Sequence, residues 1–208
     1  MTLKKHLVVT ALGGLLATVA AQAQYTSGRA ANPSEPLNVT STEYGSQKWE
    51  VDAGLGYLFD TNIPGADDGV MMHIGGYYLD SVNSTHETTL KYGGEFVYGN
   101  ASSSGNGSPE LNTYFFAANA GIGYRFNRTL EGNILAGVGV GGATFTQGNA
   151  DTSTFLFGFQ VRPELTAWIT EKVGVTLSYR FFQSVALNDA WNRNPQEHAI
   201  EFGVKVRF

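Results

Sequence analysis

Three histidines, His73, His86 and His198, and a scatter of carboxylates carry what acid, base or ligand chemistry this chain has beyond residue 23. They read His73-Ile74-Gly75, His86-Glu87-Thr88 and His198-Ala199-Ile200, and no two histidines have the i, i+4 spacing that places a zinc-binding pair on one helical face. With no Cys in the chain, thiolate metal sites and disulfides are excluded. Asp60, Asp67 and Asp68 could gather a divalent cation, but acidic residues in a polar stretch commonly serve as solvated charge. No cofactor and no metal are expected.

The other charged residues have a regular setting. Glu50, Asp52, His73, Lys91, Glu95, Arg125, Glu131, Arg162, Glu164, Arg180, Glu201 and Lys205 all lie on the polar parity of segments that alternate with a period of two. Eight such segments follow one another: about Gln47–Asp60, Gly69–Leu79, Glu87–Tyr98, Thr113–Phe126, Leu130–Phe145, Thr154–Ile169, Val173–Val185 and His198–Phe208. Apolar residues fill the opposite parity, as in Phe116, Ala118, Ala120, Ile122, Tyr124 and Phe126. Long polar connections, Thr61–Asp68, Gly99–Asn112, Thr146–Ser153 and Leu187–Gln196, alternate with short turns at Val82-Asn83-Ser84, Asn127-Arg128 and Thr170-Glu171.

Period-two alternation does not say which face is wet. The polar parity is crowded with Gly, which contributes 26 of 208 residues, and only 15% of the chain is charged where about 25% is usual for soluble domains. Small residues suit a narrow lumen better than a solvated exterior. On the apolar parity, Phe59, Tyr98, Phe155 and Phe181 fall towards the long connections and Trp49, Tyr78, Phe126 and Phe208 towards the short turns, as two interfacial girdles would. The polar set, with Lys172 and Arg207 added, is then expected inside as a near-neutral network of ion pairs, because isolated buried charge is prohibitively costly. His73 is expected there as a hydrogen-bonded partner rather than as a catalyst. Pro163 interrupts the sixth segment on the apolar parity, where a bulge or local break is expected, with a lateral opening for lipid as the functional alternative.

At the amino end, Lys4 and Lys5 precede an apolar run from Leu7 to Ala20 and an Ala21-Gln22-Ala23 site, the three parts of a secretory signal peptide. The expected organisation is a signal peptide at 1–23, a disordered periplasmic leader at 24–46 and a barrel at 47–208. Removing Lys4 and Lys5 leaves 11 basic residues against 18 acidic ones, a net charge of −7, which excludes a nucleic-acid partner. A mean hydropathy of −0.13 is what alternating lipid-facing and lumen-facing residues produce.

The last segment, HAIEFGVKVRF, resembles the carboxy-terminal assembly signal of bacterial outer-membrane barrels, with Glu201, Gly203, Val206 and Phe208 at its characteristic positions. Val206 stands where many members carry Tyr. From Gln47 onward the chain resembles small eight-stranded outer-membrane barrels of the OmpA/OmpX type, including the porin-like surface antigens, with segments such as AGIGYRF and LAGVGVGG. The resemblance implies an all-β fold, an eight-stranded antiparallel up-and-down transmembrane β-barrel in the bacterial outer membrane with both termini periplasmic. It also implies a monomer whose partners are outer-membrane lipid, lipopolysaccharide and the barrel assembly machinery.

The expected role is a structural or surface-interaction scaffold with a largely closed, salt-bridged lumen and four extracellular loops. Trp191, in the fourth loop, reads equally as a contact residue or an upper-girdle anchor. The alternative is a narrow porin-like channel for small solutes. A lipid A-modifying enzyme is the sharpest rival, but the His-x-Ser pair of the deacylase type is absent from all three histidine contexts.

Overall fold

Alternation of this length leaves each strand with one apolar face, and a cylinder is the arrangement that gives every strand two neighbours and leaves no open edge in hydrocarbon. The computed structural model describes residues 47–66, 68–82, 87–102, 109–148, 150–187 and 194–208. The expected signal segment and leader, together with Asp67, His86 and Trp191, lie outside the described residues.

Eight strands run in sequence order: β1 (Trp49–Thr61), β2 (Asp68–Ser81), β3 (Thr88–Ser102), β4 (Glu110–Arg125), β5 (Leu130–Gln147), β6 (Ala150–Trp168), β7 (Val173–Ala186) and β8 (Gln196–Arg207). Each pairs antiparallel with the next, and β1 pairs with β8 to close the barrel. The closing seam reaches the carboxy-terminus, where Trp49 N donates to Phe208 O at 3.1 Å and Phe208 N donates to Trp49 O at 3.0 Å. One irregularity marks this seam, a register shift between Leu58 and Asp60.

Two of the short turns are set by side chains that accept from the backbone just after them. Asn127 Oδ1 accepts from the amides of Thr129 and Leu130, both at 2.8 Å, and Thr170 Oγ1 accepts from Lys172 N at 3.2 Å and Val173 N at 3.0 Å. Lys172 is exposed in this second turn rather than lining the lumen, because the alternation of β7 stops at Val173 and parity has no meaning beyond a strand's end.

At the other end the strands outrun the alternation. Pairing continues through Ser102↔Glu110 and Gln147↔Ala150, so much of the polar stretches 99–112 and 146–153 is ladder rather than loop. Polar cross-strand contacts replace apolar ones there: Asn100 Nδ2 donates to Glu110 and Asn112 at 2.8 Å, and Thr144 and Ser153 share a hydrogen bond of 3.1 Å.

Pro163 breaks the ladder without a bulge. The β6–β7 register is the same on both sides of it, Val161↔Phe181 and Glu164↔Ser178, and only the pairs at 162 and 163 are missing. Along β6 the odd residues point their backbone groups towards β7: Phe155 O accepts from Leu187 N, and Ile169 N donates to Val173 O. Pro163 is odd, so the donor it lacks is one that would face Tyr179, while its pairing with Ile134 on the β5 side is undisturbed.

Candidate functional site: a closed lumen and its loop-end rim

Viewed as a soluble protein the barrel is inside out. Ile74, Phe116, Ile134, Val138, Val140, Phe157 and Phe202 are more than half exposed on the outer face, whereas Glu50, Lys91, Arg162, Arg180, Glu201 and Lys205 are at most 1% exposed inside. Only a hydrocarbon surrounding makes this distribution stable. The aromatics form the two expected rings: Phe59 and Phe155 are exposed at the loop end, and Trp49, Phe126 and Phe208 at the turn end. Tyr hydroxyls reach outward acids at both levels, Tyr57 to Asp68 at 3.0 Å and Tyr92 to Asp80 at 3.1 Å, as interfacial tyrosines with one wet end do.

Inside, the lower part of the lumen is a continuous ion-pair network. Around Glu50 and Glu131, Lys91 lies 2.9 and 3.1 Å away and Arg207 lies 2.7 Å from each. Lys205 joins Glu50 at 3.2 Å and also pairs with Glu164. Arg125 contacts Glu131 at 3.4 Å, and Trp168 donates its indole N–H to the same carboxylate at 3.2 Å while Arg207 stacks 4.2 Å above its ring. One level up, Arg162 lies 2.6 Å from Asp52, 2.9 Å from Glu95 and 3.6 Å from Glu164. Arg180 pairs with Glu95 and, at 3.1 Å, with Glu201. His73 touches Glu201 at 3.2 Å and Asp52 at 3.7 Å.

Two glycines make room for this packing. A Cβ on Gly54 would lie 2.4 Å from the His73 ring, and one on Gly56 would lie 2.6 Å from Glu201 Cγ. The small residues of the polar parity are thus the space occupied by the large ones of neighbouring strands.

All twelve charged residues singled out in the sequence are buried in this network. Asp52, His73 and Glu95 present ligand-type atoms within 4.8 Å of one another, but the Arg162 guanidinium already lies against both carboxylates. The local charge is balanced by protein cations, so the donor set is spent on ion pairs.

The upper part of the lumen is apolar, which the expectation of a wholly polar interior did not include. Leu58, Met71, Val97, Leu111, Phe115, Leu156 and Phe182 form a buried cluster, with Phe115 and Phe182 edge to face at 4.6 Å. Ile63 and Ala66, from the connection after β1, fold into the same cluster. That connection is clipped down: Thr61 Oγ1 donates to Ala66 O at 2.5 Å, and Asn62 bridges to the base of the fourth connection, donating to Asn194 O at 2.7 Å and accepting from Gln196 N at 2.9 Å. Gly65, at φ +79°, packs beneath Pro109. Glu197 lies within this upper region at 1% exposure, accepting from Thr113 Oγ1 at 3.4 Å, and its second oxygen has no hydrogen-bond partner among the described residues.

A closed antiparallel barrel of eight strands, charged within and ringed by aromatics without, is an outer-membrane β-barrel. In agreement, residues 9–208 match the outer membrane protein beta-barrel domain family, and the chain belongs to that family. Its location is the outer membrane. No curated protein matches the sequence significantly. Among solved structures, Neisserial surface protein A superposes with a TM-score of 0.56 at 13% identity, over 77% of this chain and 96% of that one. Ail, the attachment invasion locus protein of Yersinia pestis, superposes with a TM-score of 0.52 at 16% identity, over 77% of this chain and 99% of that one. At such identities the likeness is one of fold.

Proposed function

We propose that the protein is a non-catalytic surface scaffold: a rigid, sealed barrel that holds an extracellular rim of connections and extended strands in place. The observation that carries this reading is the double filling of the lumen, ion pairs below and an apolar plug above, clipped by Asn62. A polar network alone admits water; an apolar layer over it adds a barrier to ions. Both termini lie on the periplasmic side, since the long connections of outer-membrane barrels are extracellular. On this reading residues 1–23 are removed on export, 24–46 form a periplasmic leader, and the barrel begins at 47.

The charged lumen residues serve stability and closure rather than turnover. Glu201, Gly203, Val206 and Phe208 form the recognition strand for the barrel assembly machinery, and the outer girdle sits among lipopolysaccharide. The test is electrical and electrophoretic together. Purified protein in planar bilayers is expected to give no stable conductance while showing heat-modifiable gel mobility. Steady, solute-sized conductance from heat-modifiable protein would replace the scaffold by the channel reading.

A further inference from the structure

On the outer wall of β3 to β6 the lipid-facing parity changes chemistry at the loop-end girdle while the strands run on in register. On β3 the outward series Phe96, Tyr98 is followed by Asn100, and on β4 the series Phe116, Tyr114 is followed by Asn112 and Glu110. On β5 and β6 the same change sets Thr144 opposite Ser153, one outward step above Gly142 and Phe155. All these positions are ladder, from Asn100↔Asn112 and Ser102↔Glu110 to Asn112↔Thr144 and Thr144↔Ser153. A polar face is therefore carried by strand directly above an apolar one.

Its side chains orient one another. Asn112 Oδ1 accepts from Tyr98 Oη and from Asn100 Nδ2, both at 2.8 Å, and Glu110 Oε1 accepts from Asn100 at 2.8 Å and from Asn112 at 3.3 Å. At the lower border the Tyr114 ring lies across Gly142 of the next strand, where a Cβ would collide with it. Gly142 is buried although it belongs to the outward parity, whereas Tyr114 is 45% exposed. One face of the ring covers Gly142 and the other is open, with Phe155, 74% exposed, beside it on β6.

We infer that this face binds the neutral sugar headgroup of a membrane glycolipid, whose chains lie on the wall below. A sugar ring presents hydroxyls that both donate and accept, and a face of C–H groups. Carboxamides and hydroxyls meet the hydroxyls in both senses, and Glu110 accepts from them. The open face of an aromatic ring, negative by its quadrupole, meets the C–H groups. Residues 98–102, 110–114, 142–146 and 151–155 contain no Lys, Arg or His, and Glu110 and Asp151 are acidic, so a phosphate would be repelled.

The sugar is lipid-borne because the face looks sideways from the wall into the plane of the membrane. Beneath it Phe116, Val140 and Phe157 are more than half exposed on the same three strands. A sugar resting on Asn112 and Tyr114 sets its lipid chains against these residues. This inference rests on the scaffold reading and names what the rim holds beside it.

The test uses the full chain in phosphatidylcholine nanodiscs doped with digalactosyldiacylglycerol, phosphatidylglycerol or phosphatidylethanolamine, with the lipid retained on the ejected protein read by native mass spectrometry. The digalactosyl lipid is expected to be retained in preference to the other two, and free digalactose at the same concentration is expected not to displace it. Tyr114→Leu still covers Gly142 but has no ring, and should weaken retention about tenfold, while Tyr114→Phe should retain as wild type does. Asn112→Ala leaves the covering of Gly142 intact and should weaken it about fivefold.

Equal retention of the anionic or the ammonium lipid overturns the inference, and displacement by free digalactose replaces the lipid-borne sugar by a soluble one and overturns it too. Undiminished retention by heat-modifiable Tyr114→Leu or Asn112→Ala protein does the same, as does equal loss in Tyr114→Leu and Tyr114→Phe. In each of these cases a barrel that stays non-conducting leaves the scaffold reading standing.

Discussion

Arg162 Nη2 lies 2.6 Å from Asp52 Oδ2, joining β6 to β1 across the lumen between strands that share no ladder. The same nitrogen donates to Tyr77 Oη at 3.2 Å, and Tyr77 donates in turn to Glu95 at 2.8 Å, so the guanidinium ties three strands to β6.

Removing one member of this group leaves its partners charged and dry. Asp52→Ala is expected to cost about 3–5 kcal/mol. It is read as a fall in the temperature at which the folded gel band converts to the unfolded one. An unchanged conversion temperature would mean that water already reaches Arg162.

The plug and the charge layer can be separated by conductance. Replacing Leu58 and Phe115 together by Gly empties much of the apolar layer while leaving every ion pair in place. Transient conductance is expected from this variant and from neither parent nor single variant. A silent double variant would assign the seal to the charges alone.

Pro163→Ile supplies the amide that β6 lacks towards Tyr179. The gain expected is about 0.5–1.5 kcal/mol, the net value of one hydrogen bond. Urea unfolding from lipid vesicles measures it, and a loss of stability would show that the gap at residues 162 and 163 is required by packing.

On the outer wall, Ile134 is 57% exposed, and Ile134→Arg places a charge in hydrocarbon. The expected cost is about 2–4 kcal/mol if the site lies near the midplane. The same vesicle assay reads it, and a cost near zero would place this level at the interface.

Phe208 is 58% exposed and its backbone closes the barrel on Trp49. Phe208→Ala is expected to lower the yield of assembled barrel in cells while leaving the unfolding of what does assemble little changed. Normal yield would remove the terminal residue from the assembly signal.

The barrel was legible because alternation is a local signal, repeated eight times and independent of which residues meet. The charged lumen residues were legible for the same reason, as charges on the parity opposite Val and Phe. What escaped were residues on the lumen parity that do not look like lumen residues. Leu58 lies in Tyr57-Leu58-Phe59, Phe115 beside Phe116 and Phe182 beside Phe181, so both parities are apolar there and the alternation is silent. Glu197 is hidden in the converse way, between Gln196 and His198, where both parities are polar. The strand extensions at 99–102, 110–112 and 150–153 carry no alternation to mark them as strand, because Asn, Ser and Thr pair across strands as well as they form turns.

The ion pairs of the lumen also bear on how the barrel is made. Arg162–Asp52 joins β6 to β1, Arg180–Glu95 joins β7 to β3, and Arg207–Glu131 joins β8 to β5, each pair separated by at least two intervening strands. No hairpin or open sheet can form them; they exist only once the curvature is complete. A half-inserted sheet would therefore face hydrocarbon with bare charges, a state with no local minimum to rest in. The network acts as a checkpoint on assembly, making insertion and closure a single cooperative event and penalising every route that inserts before it closes.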